Sequence, residues 1–453
     1  MARSLSAVAA KVGGQLLGAD ASFGVVGTDT RSLPAGSLFV AIEGQHFDGN
    51  DYVAAAAARG AVGALVSREQ DLPLPQIKVA DTRQAFGAMA RAWRENFEIP
   101  VIAVTGSAGK TTVKELIGAI LGTRRKICVT EGNLNNDIGV PLSLMRLEAT
   151  DAAMVVELGA NHAGEILHLG QLVEPTIAVI TNAGAAHLEG FGSVAGVAQA
   201  KGELIDCLPE DGVAVLNADD AYFAEWRQRA GARRVVSFGF SPTAEVRLSG
   251  EAVVKGGSSH FALALPNGEA IEVRLPLLGR ANIANALAAA AAAFLAGATG
   301  ADIRAGLEQA QAVRGRMHRL AGKHGATIID DSYNANPAAA RAALDYLAGC
   351  TGQRIFVLGD MLELGADAGK LHREIGVYAR GRCERLVTVG ALAGEAAEAF
   401  GPESLRFSAI EPAAAAVAAD LAPAVTVLVK ASRSVGLERL VAALVDTEGS
   451  AAC

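Results

Sequence analysis

The chain has 453 residues, more than one compact core normally holds, and the usual domain size favours about three domains. Half of the residues are apolar (51%), aromatics are few (5%) and the formal charge is −8, which argues against wholesale binding to nucleic acid or an anionic membrane but leaves room for a local basic pocket. The longest apolar stretch, residues 286–298, has thirteen residues, short of the roughly 20 that a membrane-spanning helix needs, so it reads as a buried, alanine-rich helix.

The chain starts "MARSLSAVAAKVGG", which begins like an export signal, but Lys11 interrupts the apolar run too early. The five cysteines are odd in number and widely spaced, as expected of reduced thiols in a cytoplasmic protein. The first hundred residues alternate short apolar strands with alanine-rich helices and predict a small α/β domain, residues 1–98.

A second domain, residues 99–313, begins at "IPVIAVTG", where a continuous apolar run predicts a strand buried on both faces. Similar strands at "AAMVVELG" and "TIAVITNAG", separated by helical stretches, predict a mostly parallel sheet. Between residues 233 and 278 the pattern becomes alternating, and "HFALALPNGEAIEVRL" carries an Asn267–Gly268 turn, which predicts a small antiparallel sheet attached to the parallel one. From residue 314 to 453, strands at "ATIID", "RIFVLG", "RLVTVG" and "VTVLVK" predict a carboxy-terminal Rossmann-like domain. The fold class is thus α/β, in three domains.

The stretch "AVTGSAGKTTVK" follows the first strand of the second domain. Only Ser107 and Ala108 separate Gly106 from Gly109, so the loop is shorter than a general P-loop. Val113, Leu116, Ile117, Ile120 and Leu121 then fall on one helical face. A strand, a glycine loop and a helix in this order would aim backbone N–H groups and a helix dipole at a triphosphate, with Lys110 on the β and γ phosphates and Thr111 facing Mg²⁺.

Ligands of open α/β sheets gather where strands end, which singles out Glu157 and His187. Either could serve Mg²⁺, and either could be an ordinary paired acid or loop histidine. The asparagine-rich loop "EGNLNNDIGVP" lies between them and the phosphate loop, close enough to hold a substrate. Lys201 sits on a helix, where a lysine is by default solvated.

Together these pieces resemble the Mur ligases, ATP-dependent amide-forming enzymes of peptidoglycan precursor synthesis. The short Thr-Gly-x-x-Gly-Lys-Thr loop of residues 105–111 is that family's form, and "GNLNNDIGVP", "ELGANHAGEI", "ITNAGAAHLEGFGS", "AKGEL", "LLGRANIANALAAAA" and "GRM" follow in the family's order. The carboxy-terminal "DDSYNANP", "LGDMLELG" and "VLVKASR" are similar to the member that adds D-alanyl-D-alanine to a UDP-N-acetylmuramoyl tripeptide through an acyl phosphate.

The resemblance implies ATP contacts from Gly106, Ser107, Ala108, Gly109, Lys110, Thr111 and Thr112, with Asn282 on the adenine and Arg316 and Asp331 reaching the nucleotide from the third domain, Asp331 through the ribose. It implies two Mg²⁺ ions served by Thr111, Glu157, His187 and Lys201, the last as a carbamate, and catalytic parts for Lys110, His187 and Lys201. Thr28, Asp29, Thr30 and Arg31 would hold the UDP end of the substrate, and Asn135 and Asn136 would contact substrate or phosphate. Asn334, Asn336, Lys430 and Arg433 would receive the dipeptide or the acyl phosphate. Ala431 departs from the family, which usually has glycine there, and its methyl group could restrict the loop after Lys430. A cytoplasmic monomer with no membrane span and no nucleic-acid partner is expected. A Mur-type ligase for another amine, or a nucleotide-dependent switch without ligation, are the alternatives.

Overall fold

The computed structural model describes residues 3–44, 47–255 and 257–446. Three sheets follow one another along the chain. In the first, five strands lie in the order Gln15–Leu17, Gln76–Lys78, Gly63–Val66, Leu38–Val40 and Val26–Gly27, parallel except for the first pair.

The second sheet has nine strands. The phosphate-loop strand Val101–Thr105 is third from one edge of it, flanked in parallel by Met154–Glu157 and Ile177–Ile180. All five residues of Val101–Thr105 are buried, because helices cover both faces, and this is why the run reads as continuously apolar. The antiparallel strands Val246–Lys255, Ser258–Ala264 and Ala270–Leu275 do not form a separate sheet: Val246–Lys255 pairs in parallel with Arg234–Gly239 and extends the same sheet. Alternation in these strands reflects one covered face and one wet face, as in Ala270–Leu275, where exposed and buried residues strictly alternate.

On one face of this sheet lie the phosphate-loop helix Lys110–Leu121 and the alanine helix Arg280–Leu295. Residues 286–293 of the latter are wholly buried, which small side chains permit by letting it sit close to its neighbours. The helix Gly300–Glu308 approaches still more closely, since a Cβ on Gly306 would lie 2.3 Å from Ile120 Cα. The opposite face shares its core with the first sheet through Phe86 and Met89 of helix Thr82–Arg94, which fixes the amino-terminal unit against the central one.

The third sheet has six strands, in the order His318–Ala321, Thr327–Asp331, Val425–Lys430, Gln353–Gly359, Arg385–Val389 and Ser404–Phe407. It is parallel after the first pair and carries a hydrophobic core on each face. Cys128, Cys207, Cys350 and Cys383 are free thiols, and Cys453 lies outside the described residues. Among the described residues no helix is long and apolar enough to cross a membrane.

Candidate functional site

Strand register creates the site. Val104 pairs with Glu157 and Thr105 with Ile180, so three parallel strands end together and deliver Gly106, Glu157 and Thr181 to one edge of the sheet. The two loop glycines are sterically required there. Gly106 has φ 144° and a Cβ would meet Thr181 Oγ1 at 2.0 Å; Gly109 has φ 83° and a Cβ would meet Asn285 Oδ1 at 2.3 Å.

Asn182 holds the middle of the loop. Ser107 N–H donates to its carbonyl (3.0 Å) and Ala108 N–H to its Oδ1 (2.9 Å), while Thr181 Oγ1 donates to Ala108 O (2.6 Å). Two backbone donors expected to face phosphate are therefore already used. The anion-binding donors that remain come from the first helical turn, since the intrahelical ladder starts with Val113 N–H on Gly109 O (2.8 Å) and leaves Lys110, Thr111 and Thr112 without intrahelical acceptors.

Glu157 is 1% exposed and lies at the junction of three segments. Its carboxylate accepts from Thr111 Oγ1 (2.7 Å) and Asn135 Nδ2 (2.7 Å), and its N–H donates to Thr130 Oγ1 (3.2 Å). Gly159 leaves room for Asn135, whose amide a Cβ would crowd at 2.9 Å. Among the described residues no group of three or more His, Cys, Asp or Glu side chains forms an all-protein metal cage. One carboxylate and one hydroxyl beside a helix N-terminus nevertheless suit Mg²⁺, which usually takes few protein ligands and completes its shell with phosphates and water.

Three bases lie in mutual electrostatic range. Lys110 Nζ donates to Gly106 O (2.8 Å), and burial, opposed by Glu157, holds its pKa below the usual lysine value. Lys201 is not solvated as a helical lysine ordinarily is: it is 2% exposed, on helix Val194–Asp206, with Nζ 3.4 Å from Ala160 O and 5.1 Å from the Phe191 ring. Burial, with a further push from Lys110, lowers its pKa to about 7. His187 is depressed by burial and by both lysines. It adopts a left-handed conformation (φ 53°), and its Nδ1 touches the Glu363 carboxylate of the third unit, itself left-handed (φ 62°), which opposes that depression.

The third unit faces this edge across a cleft of about 1610 Å³. A single small-molecule site is typically about 300–1,000 Å³, so the cleft has room for more than one ligand. Of the expected residues, Ser107, Ala108, Gly109, Lys110, Thr112, Asn135, Asn136, Glu157, His187, Asn282, Arg316, Asp331, Asn334, Asn336 and Lys430 line it. Lys201 and Thr111 are buried behind the wall.

Several of these side chains are already engaged. Lys430 pairs with Asp331 at 2.5 Å and donates to Asn334 O (3.0 Å). Asn136 Oδ1 accepts from Gly139 N–H (2.9 Å) and Asn336 Oδ1 from Ala339 N–H (2.8 Å), so each caps a helix start. The Ala431 methyl is buried, and its residue is not left-handed; it lies where Gly359 has no side chain, so the departure from glycine is accommodated. Thr28, Asp29, Thr30, Arg31 and Arg433 are not among the cleft-lining residues. Asp29 pairs with Arg31 at 2.7 Å, and those hydrogen bonds lower its pKa to about 2. Arg433 lies 5.5 Å from the Tyr333 ring, which also carries Arg316 at 4.3 Å.

Sequence reasoning missed Asn182, Asn285, Arg280 and Glu363. Asn285 had a signal, since Asn282 and Asn285 are three apart on one helix and share a face; Asn285 Nδ2 donates to Asn282 Oδ1 (3.1 Å). Arg280, over the Phe240 ring at 3.5 Å, and Glu363 depend on contacts between distant segments.

Family comparison agrees with this arrangement along the chain. Residues 22–94 match the Mur ligase family catalytic domain, 104–293 the Mur ligase middle domain and 315–433 the Mur ligase glutamate ligase domain. The UDP-N-acetylmuramoyl-tripeptide–D-alanyl-D-alanine ligase of Escherichia coli is 43% identical over 448 residues, covering 97% of this chain and 98% of the relative. A crystal structure of MurF from Acinetobacter baumannii superposes with a TM-score of 0.91 at 35% identity, covering 98% of each chain. MurF ligase from Thermotoga maritima, in complex with ADP, gives 0.82 at 28% identity, covering 92% of this chain and 96% of that one. The chain belongs to the Mur ligase family, and its relatives include the ligases that add D-alanyl-D-alanine.

Proposed function

We propose that the chain is an ATP-dependent ligase that joins D-alanyl-D-alanine to UDP-N-acetylmuramoyl tripeptide, acting as a cytoplasmic monomer. The observation that carries this reading is 43% identity over almost the whole chain to a ligase of that name. The large cleft between a phosphate-loop edge and a third sheet supports it. In the corresponding division of labour, residues 1–98 hold the UDP end, 99–313 hold ATP, and 314–453 close on ATP and bring the amine.

The reaction has two steps. A carboxylate oxygen of the tripeptide attacks the γ-phosphorus of ATP, the bond to the bridging oxygen of ADP breaks, and an acyl phosphate forms. The dipeptide amine then attacks the acyl carbon, loses a proton and expels phosphate. Two anions must meet in the first step, so the site must supply positive charge. Lys110 and the first-turn N–H groups would face the phosphates, and Arg316 would approach from the third unit. Thr111 and Glu157 would hold one Mg²⁺, and His187 with a carbamylated Lys201 a second. These ions would neutralise charge on the transferring phosphoryl group.

Carbamate formation needs a neutral amine to attack CO₂, and a lysine with a pKa near 7 has one at physiological pH. The product carries a negative charge, which also replaces the repulsion of Lys201 against Lys110 and His187 by attraction.

Phosphate release should require both tripeptide and dipeptide, and the product should gain the dipeptide mass; phosphate release without either would make the chain a nucleotide switch, and preference for another amine would make it a different ligase. Lys110→Ala should abolish product while leaving the circular dichroism spectrum and melting curve of a folded protein; full activity would remove Lys110 from the phosphate site.

The carbamate has its own test. Removing CO₂ and bicarbonate should lower activity and adding bicarbonate should restore it. The loss should be greater as pH falls below about 7, because the amine is then protonated. Full activity in Lys201→Ala would contradict the assignment.

A further inference from the structure

Lys114 is a fully buried lysine, 0% exposed, one turn beyond Lys110 on the phosphate-loop helix. Its ammonium donates to Thr130 O at 2.7 Å and Gly132 O at 3.1 Å, and pairs with the half-exposed Glu115 carboxylate at 2.8 Å. Lysine is almost never fully buried unless paired, because taking an ammonium out of water is expensive. An apolar side chain would have filled this space more cheaply, had helix packing been the only requirement.

The two carbonyls belong to the start of the loop that passes Asn133, Asn135 and Asn136 along the cleft. Thr130 is held on its other side by Glu157 N–H, and Gly132 turns the chain with φ 53°. The loop then returns to Glu157 through Asn135. Lys114 thus connects the helix that carries Lys110 and Thr111 to the loop that carries the asparagines, on the side away from the cleft.

We propose that Lys114 is a positioning residue that couples nucleotide binding to placement of the tripeptide substrate. A nucleotide drawn onto the first helical turn fixes that helix, and the ammonium transmits the fixed position to Thr130 and Gly132 and so to the asparagine loop. This inference rests on the ligase reading above, with the tripeptide bound along that loop.

The test compares wild type, Lys114→Met and Lys114→Arg. In Lys114→Met, the tripeptide KM should rise about tenfold, the scale expected when a buried hydrogen-bonded anchor is lost, while the KM for D-alanyl-D-alanine and the melting shift produced by ADP stay near wild type. The nucleotide analogue AMP-PNP should tighten tripeptide binding in wild type but not in Lys114→Met. Lys114→Arg, which keeps a cation and its donors, should recover most of the coupling. If Lys114→Met does not fold, Lys114→Gln takes its place with the same expected outcomes.

A lower melting temperature with unchanged tripeptide KM and unchanged coupling would make Lys114 purely structural and overturn the proposal. Loss of the ADP shift would also overturn it, since the lysine would then be acting on the nucleotide site itself. Failure of wild type to ligate would instead refute the ligase reading, and the ADP shift identifies that case separately.

Discussion

Two hydrogen bonds to the buried carboxylate of Glu157 hold the phosphate-loop helix and the asparagine loop in one geometry. Thr111 donates from one side and Asn135 from the other, so neither segment can move without leaving a buried carboxylate oxygen short of a partner. The strand that carries Glu157 is fixed in turn by its pairing with the phosphate-loop strand. The phosphate-loop helix and the asparagine loop are thereby referred to a single carboxylate at the sheet edge. Such precise relative placement is what a reaction between two anions requires.

The same edge gathers three basic side chains in buried and half-buried positions. Lys110, His187 and Lys201 each lose affinity for protons because burial disfavours their charged forms, and the two lysines add mutual repulsion. Burying the Lys110 cation is unfavourable alone and favourable beside a polyanion. The energetic cost is met before the reaction, so little reorganisation is needed when charge develops. Contact between His187 and Glu363, both left-handed, joins this cluster to the third unit, and strained backbone of this type persists only where the surroundings hold it.

Much of this was legible in the sequence, where local chemistry determined it. The apolar run ending in a glycine loop, the one-faced helix after it and the acid that ends "AAMVVE" all signal their positions through nearest neighbours along the chain. The burial of Lys201 was not legible from its helix, because its surroundings come from Phe191 and Ala160. Nor was the use of Ser107 and Ala108 N–H by Asn182, nor the Lys430–Asp331 pair, which spans two strands of the third sheet. The continuous nine-stranded sheet was hidden for a similar reason: alternation reports a wet face but does not say which strand lies alongside.

The central claim is that the tripeptide carboxylate is phosphorylated by ATP before the amide forms, and oxygen tracing tests it most directly. Tripeptide labelled with ¹⁸O in its terminal carboxylate should yield inorganic phosphate carrying one ¹⁸O atom per amide bond made, because the attacking oxygen leaves with the phosphoryl group. Amide formation accompanied by unlabelled phosphate would contradict the account.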